Sequence, residues 1–415
     1  MRLLNGTLIY SACVFVAASG VATAEPLNFR LLDPPIGLNA QEPGLFATGD
    51  GRLLLSWTEP SINGFAVKMA TLSEAEWGNA HTVTQSDKIF VNWADFPSIA
   101  AFADGTFAVQ WLQESDQSSY YYDVNIALSK DDGNTWSKPL TPHQDGTQSQ
   151  HGFVSMLPIN DTTLLSVWLD GRAYGKNILD RADQRLPDAM QLRTTDIRSD
   201  GVLVKDSLLD EQTCTCCQTS ATTTADGTVL IAYRDKTDAD IRDIAVARKV
   251  DGDWLPSSIV YPDGWEISGC PVNGPAIDAM EQTAVVAWFT GANDVPAVKV
   301  AFSRDNGANF DAPIRIDFGE AVGRVDVMML TESSALVTWV EWQKDNEVIF
   351  ACKLDLGAPC EGPQIVTVNS GDGSVNFPRM ARTPEGIYIA WTQPATEANS
   401  DPNAESRIIL AFAPL

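Results

Sequence analysis

Cys214-Thr215-Cys216-Cys217 and Cys270, with His151 upstream, offer the most specific chemistry in this 415-residue chain. Thiolates and an imidazole form a soft ligand set that selects copper or zinc. Clustered thiols also exchange readily with disulfides, which is redox chemistry. The same cysteines can instead close as two structural disulfides, one of them joining Cys270 to Cys217 or to Cys216. Cys352 and Cys360 bracket a short turn and are expected to bond to each other. A second group is ionic: Arg172, Arg234, Arg242 and Arg324 with Asp170, Asp235 and Glu341. Guanidinium forks grip carboxylates bidentately, and a pair of carboxylates is the equipment of glycoside hydrolysis.

Which reading of the cysteines holds depends on the compartment. Met1-Arg2 precedes an apolar run from Leu8 to Ala18, and Ala22-Thr23-Ala24 is a small-x-small cleavage site. That order predicts a signal peptide over 1–24 and an exported protein, periplasmic or secreted. The run is too short to span a bilayer, so no membrane span is expected after cleavage. Six cysteines remain after Cys13 is removed, and an even number in an oxidising compartment favours disulfides. The balance of 28 Lys and Arg against 54 Asp and Glu, a net charge of -26, excludes the basic footprint of nucleic-acid binding.

The elements that position these residues come from a repeat. A short apolar strand ending in an aromatic recurs seven times, at Trp57, Trp111, Trp168, Tyr233, Trp288, Trp339 and Trp391. The spacing runs from 51 residues, Trp288 to Trp339, up to 65, Trp168 to Tyr233. Turn pairs precede most of these strands, as at Asp50-Gly51, Asp104-Gly105 and Asp226-Gly227. A period of this length without helical patterning predicts an all-β, seven-bladed β-propeller of four-stranded blades, one domain over 25–415. The seventh blade runs out of chain after Ile408 to Phe412, so Leu27 to Leu32 is expected to supply its last strand and close the ring.

Ser129, Asp131, Gly133 and Trp136 fit a Ser-x-Asp-x-Gly-x-x-Trp turn, and Ser303, Asp305, Gly307 and Phe310 repeat it with Phe last. Both copies resemble the Asp-box (BNR) repeat of sialidases and related propellers, and the blade pattern extends that resemblance over nearly all of 25–415. The resemblance implies that these boxes are structural. It also offers the six-bladed sialidase ring as the alternative architecture. A sialidase would add three arginines clamping the substrate carboxylate, a Tyr/Glu nucleophile pair and an Asp acid/base.

In a propeller, first-strand entrances and second-strand exits share the face that carries the channel mouth. Aligned by the repeat, the entrances carry Glu42, Asp95, His151, Cys216-Cys217, Cys270, Arg324 and Asn376. The exits add Glu59, Gln113, Asp170, Arg172, Arg234, Asp235, Glu341 and Gln393, with Arg242 close behind and Arg379 just inside blade seven. No tyrosine with a glutamate partner falls there. The expectation is therefore a monomer that binds a carbohydrate, small molecule or protein partner at the mouth without assigned turnover. The alternatives are an exo-sialidase-type hydrolase and a copper or thiol-redox protein built on Cys214, Cys216, Cys217, Cys270 and His151.

Overall fold

The computed structural model describes residues 27–115, 121–174, 189–369, 375–394 and 406–415. The predicted signal peptide and Cys13 lie outside them. Seven antiparallel sheets follow one another along the chain and form a seven-bladed β-propeller. Blade one opens with Gln41–Ala47, blade two with Ser98–Ala101, and blade three with His151–Asn160. Blades four to seven open with Ser220–Thr223, Ala276–Met280, Ala321–Thr331 and Arg379–Thr383.

The second strands read as continuous apolar runs because each is packed on both faces by the neighbouring blades. In Leu53–Ser61 every residue from Leu53 to Glu59 is buried. Their terminal aromatics, six Trp and Tyr233, are among the largest fully buried side chains. A buried indole N–H needs an acceptor, and the residue two positions on lies on the same face of the strand. Trp57 accordingly donates to Glu59 (2.8 Å), Trp111 to Gln113 (3.3 Å), Trp168 to Asp170 (2.8 Å), Trp339 to Glu341 (3.0 Å) and Trp391 to Gln393 (3.4 Å). Blade five uses Asp263 for Trp288, and in blade four the Tyr233 hydroxyl donates to Asp210.

The ring closes as expected. Arg30–Leu32 pairs antiparallel with Arg407–Pro414, Arg30 opposite Phe412 and Leu32 opposite Leu410, as the outermost strand of blade seven. Two blades depart from the four-stranded expectation. Blade two has three named strands, and its outer edge is reduced to a single bridge between Ile126 and Leu140. Pro139 and Pro142 flank that bridge and lack the N–H a ladder needs. The outer edge of blade one is split into Glu76–Trp77 and His81–Ser86.

The two Ser-x-Asp-x-Gly turns fold alike. Asp131 accepts from the Thr135 N–H (2.8 Å) while Ser129 Oγ accepts from the Gly133 N–H (2.9 Å). Asp305 and Ser303 repeat this with Asn309 and Gly307. Gly133 and Gly307 sit at φ 87° and 71°, and a Cβ at either would meet the preceding blade, at Met69 Sδ (2.8 Å) or Leu230 Cδ2 (2.7 Å). The turns are therefore blade-to-blade contacts as well as hairpin ends. Val250-Asp251-Gly252-Asp253 is a plain two-residue hairpin with Asp251 and Gly252 both at positive φ.

Candidate functional site

First strands line a central cavity of about 720 Å³, with Asp95, Phe153, Gln218, Asp278, Asp326 and Arg379 among its walls. Its carboxylates reach sideways to the next blade. Asp95 accepts from Phe153 N (2.8 Å), Asp278 from Met329 N (2.7 Å) and Asp326 from Met380 N (2.7 Å). Burial pushes the Asp95 carboxyl up to about 7 and that of Asp278 to about 6. Glu42, at the blade-one entrance, is pushed up to about 8 by burial, with the Asp95 charge adding to it. These groups stitch the ring together around its axis.

Several first-strand entrances are bent. Glu42, Phe153, Val272 and Arg324 all have φ between 48° and 61°, and the strand registers shift at three of these points. Such a conformation is unfavourable for non-glycine residues, above all β-branched Val272. It turns side chains across the mouth. Trp93 stacks on Phe377 (centroids 6.0 Å, 22°), Phe377 meets Phe96 (5.8 Å), and the Arg324 guanidinium lies 5.1 Å over the Trp93 ring. Below them Gln218 ties Ala94 O of blade two to Gly274 N of blade five. Trp93 remains 43% exposed.

The arginines do not assemble into one clamp. Arg234 is buried, and its three nitrogens donate to the carbonyls of Asn273, Arg242 and Phe289 at 2.7–2.9 Å. Trp265 covers it at 4.8 Å, and burial pulls its pKa down to about 9. Arg242 is buried beside Cys214 Sγ (3.6 Å) and Asp240 (3.5 Å). Arg324 donates to Val375 O and lies 3.6 Å from Glu347. Arg172 forks onto Asp170 and reaches Asp206 at 3.0 Å. The carboxylates are equally engaged. Glu341 holds Trp339 and the N–H groups of Phe318 and Glu320, and Asp170 holds Trp168 and Arg172. Asp235 is half-buried, and burial with Asp210 and Asp243 nearby raises it to about 6. The Tyr233 hydroxyl donates to Asp210 on the outer strand of the neighbouring blade three, so its partner is an aspartate and not a glutamate.

The cysteines pair as Cys214–Cys217, Cys216–Cys270 and Cys352–Cys360, with Cα separations of 5.9, 6.1 and 6.2 Å. This corrects the Cys217–Cys270 option. Both cysteines are disulfide-bonded, but Cys217 closes the local Cys-x-x-Cys loop and Cys216 takes the long link to blade five. In this pairing all four cysteines of the expected soft-metal set of Cys214, Cys216, Cys217, Cys270 and His151 are engaged in disulfides, and the carboxylates rather than the thiols lie within ligating distance of His151. His151 joins a different company. Its ring stacks on His143 (3.7 Å, 4°) between the carboxylates of Asp123 and Asp145, and Asp170 is beside it. Burial opposes a charge on His151, but Asp123, Asp145 and Asp170 outweigh it and raise the imidazole to about 9.

Sequence reasoning reached His151 and Asp170 but missed His143, Asp123 and Asp145. His143 and Asp145 lie on the connection between blades two and three, and Asp123 lies in the third strand of blade two. None of these positions is marked by the repeat. Trp93 was missed because it precedes the blade-two strand as one more loop aromatic. The Trp-x-acceptor pairs were visible as Trp57/Glu59 and Trp339/Glu341 and could have been read as structural.

No family model and no curated protein matches the chain. Among solved structures, it is similar to the polysaccharide lyase Uly1, at 9% identity and TM-score 0.54 over 91% of each chain. A protein of unknown function from Dyadobacter fermentans DSM 18053 is 12% identical, with TM-score 0.49 over 93% of this chain and 98% of that one. The Hadza microbial sialidase Hz136 is 13% identical, with TM-score 0.45 over 72% of this chain and 63% of that one. At these identities the likeness speaks for the fold alone, a seven-bladed β-propeller.

Proposed function

We propose that this is an exported, monomeric propeller that binds a carbohydrate at its channel mouth, with no turnover assigned. The observation that carries the reading is Trp93, a large exposed aromatic at the mouth, braced by Phe377 and by the Arg324 guanidinium. A braced ring loses little freedom on binding and presents an apolar face suited to the C–H face of a sugar. Three disulfides among the described residues support export. The arginine placements weigh against a sialidase-type hydrolase, because Arg234 spends its whole fork on backbone carbonyls.

A glycan array followed by calorimetry on the best glycan tests the reading. Trp93→Ala should weaken binding at least tenfold with an unchanged melting temperature. Equal affinity in the variant, or no glycan bound by the wild type, refutes it. Release of a fluorogenic aglycone from a sialoside would promote the hydrolase reading instead.

A further inference from the structure

We propose that blade three holds a divalent transition-metal ion, zinc or a first-row neighbour, on His151 Nε2, Asp145 Oδ1 and Asp170 Oδ1. The three atoms face one another: His151 Nε2 lies 3.5 Å from Asp145 Oδ1 and 3.7 Å from Asp170 Oδ1. All three lie within 4.8 Å of one another. Ligands at about 2.0–2.2 Å from a tetrahedral ion stand about 3.4 Å apart, so the two histidine–carboxylate spacings need only a few tenths of an ångström of adjustment.

The case does not rest on proximity alone. His151 is wholly buried, and its ring nitrogens find no hydrogen-bond partner closer than the Asp123 and Asp145 carboxylates, at 3.3 and 3.5 Å. Asp145 Oδ1 is also buried without a closer one. Buried polar atoms are almost always partnered, and weakly partnered ones facing each other call for an explanation, of which a bound ion is one. The surroundings have the form of an outer shell. A metal-bound histidine directs its other nitrogen to a carboxylate, and His151 Nδ1 lies 3.3 Å from Asp123 Oδ1. Asp170 is fixed at both oxygens, Oδ2 by the Trp168 indole and Arg172 and Oδ1 by the Arg172 N (3.0 Å) and Nε (2.8 Å), and Asp145 Oδ2 is fixed by the Thr147 hydroxyl. His143 stacks on the ligand ring, and its Nε2 accepts from Val124 N (3.1 Å), which leaves it a supporting group.

Charge points the same way. Asp123, Asp145, Asp170 and Asp206 face only Arg172 and Arg193 among fixed cations. One nitrogen with carboxylate oxygens suits zinc or manganese, and without thiolates the site has no preference for copper(I).

The test uses the full exported protein with its disulfides intact, stripped with a chelator and titrated with Zn²⁺ against a chromophoric indicator. Co²⁺ serves as a second probe through its visible absorption. The wild type should take up one equivalent, and Zn²⁺ should raise its melting temperature. His151→Gln and Asp145→Asn should each lose at least tenfold in affinity, and His81→Gln on the outer edge of blade one should lose none. Asp123→Asn should weaken binding about 10- to 100-fold through the histidine it faces. A folded wild type that takes up no Zn²⁺ or Co²⁺ at micromolar concentrations overturns the proposal. So does a full equivalent at unchanged affinity in His151→Gln. Should His151→Gln fail to fold, Asp145→Asn decides in the same way.

Discussion

Asp278→Asn removes one charge from the channel wall and should leave everything else in place. Asp278 Oδ2 accepts from Met329 N (2.7 Å) and Oδ1 from the Thr222 hydroxyl (3.3 Å). An amide keeps both contacts, its oxygen on Met329 and its NH2 donating to Thr222. Burial raises the carboxyl from 3.8 to about 6, so the unfolded chain loses this proton about two pH units before the folded one does. Below about pH 4 both states are protonated, and the folded-state proton contributes its full stability. Between about pH 4 and 6 that contribution is lost, and above pH 6 the loss is complete. At about 1.4 kcal/mol per unit it reaches about 3 kcal/mol. Urea unfolding of wild type and variant, disulfides intact, at pH 4 and pH 8 measures it. The variant should match the wild type at pH 4 and exceed it by up to about 3 kcal/mol at pH 8. An equal difference at the two pH values, or a less stable variant at pH 8, would refute the assignment of the shift to buried charge.

Deleting residues 25–35 removes the strand paired with Leu410–Phe412 and should lower the stability of the whole ring, seen as a single melting transition moved to lower temperature; an unchanged melting curve would defeat the closure. Cys270→Ser opens a link across 54 residues and should cost about 4 kcal/mol, against about 2.5 kcal/mol for Cys360→Ser across 8, by denaturant titration. Gly307→Ala forces a Cβ against Leu230 at φ 71° and should destabilise by about 1–3 kcal/mol, with Gly252→Ala, where nothing lies within 4 Å, costing less. Arg234→Ala leaves three buried carbonyls without their donor and should cost more stability than any change at exposed Arg304, read by thermal melts.

The blades were legible because each repeats one local rule: a turn pair, an apolar strand, an aromatic. Ring closure was legible from what the seventh copy lacked. The ends of the strands were harder. Position alone marked Glu59, Asp170 and Glu341 as facing the mouth, but the indole two residues earlier claims each of them, and only packing reveals that. The His151 environment is assembled from the third strand of blade two, the connection after it and two strands of blade three. No local pattern links Asp123, His143 and Asp145 to His151. Disulfide partners were likewise open, since Cys216 and Cys217 are adjacent in the chain and either could reach Cys270 by position alone.

The antiparallel register of Arg30 with Phe412 brings the two ends of the described chain side by side in one blade. Connectivity is therefore nearly circular, and the place where the polypeptide is cut matters less than the strand pairings it preserves. A short linker across the present ends, with new termini opened at the Asp50-Gly51 turn, would give a permuted chain with the same seven sheets. In that chain blade seven would be continuous and blade one would instead be shared between the two ends, so the native closure could be separated from the stability of the blades themselves.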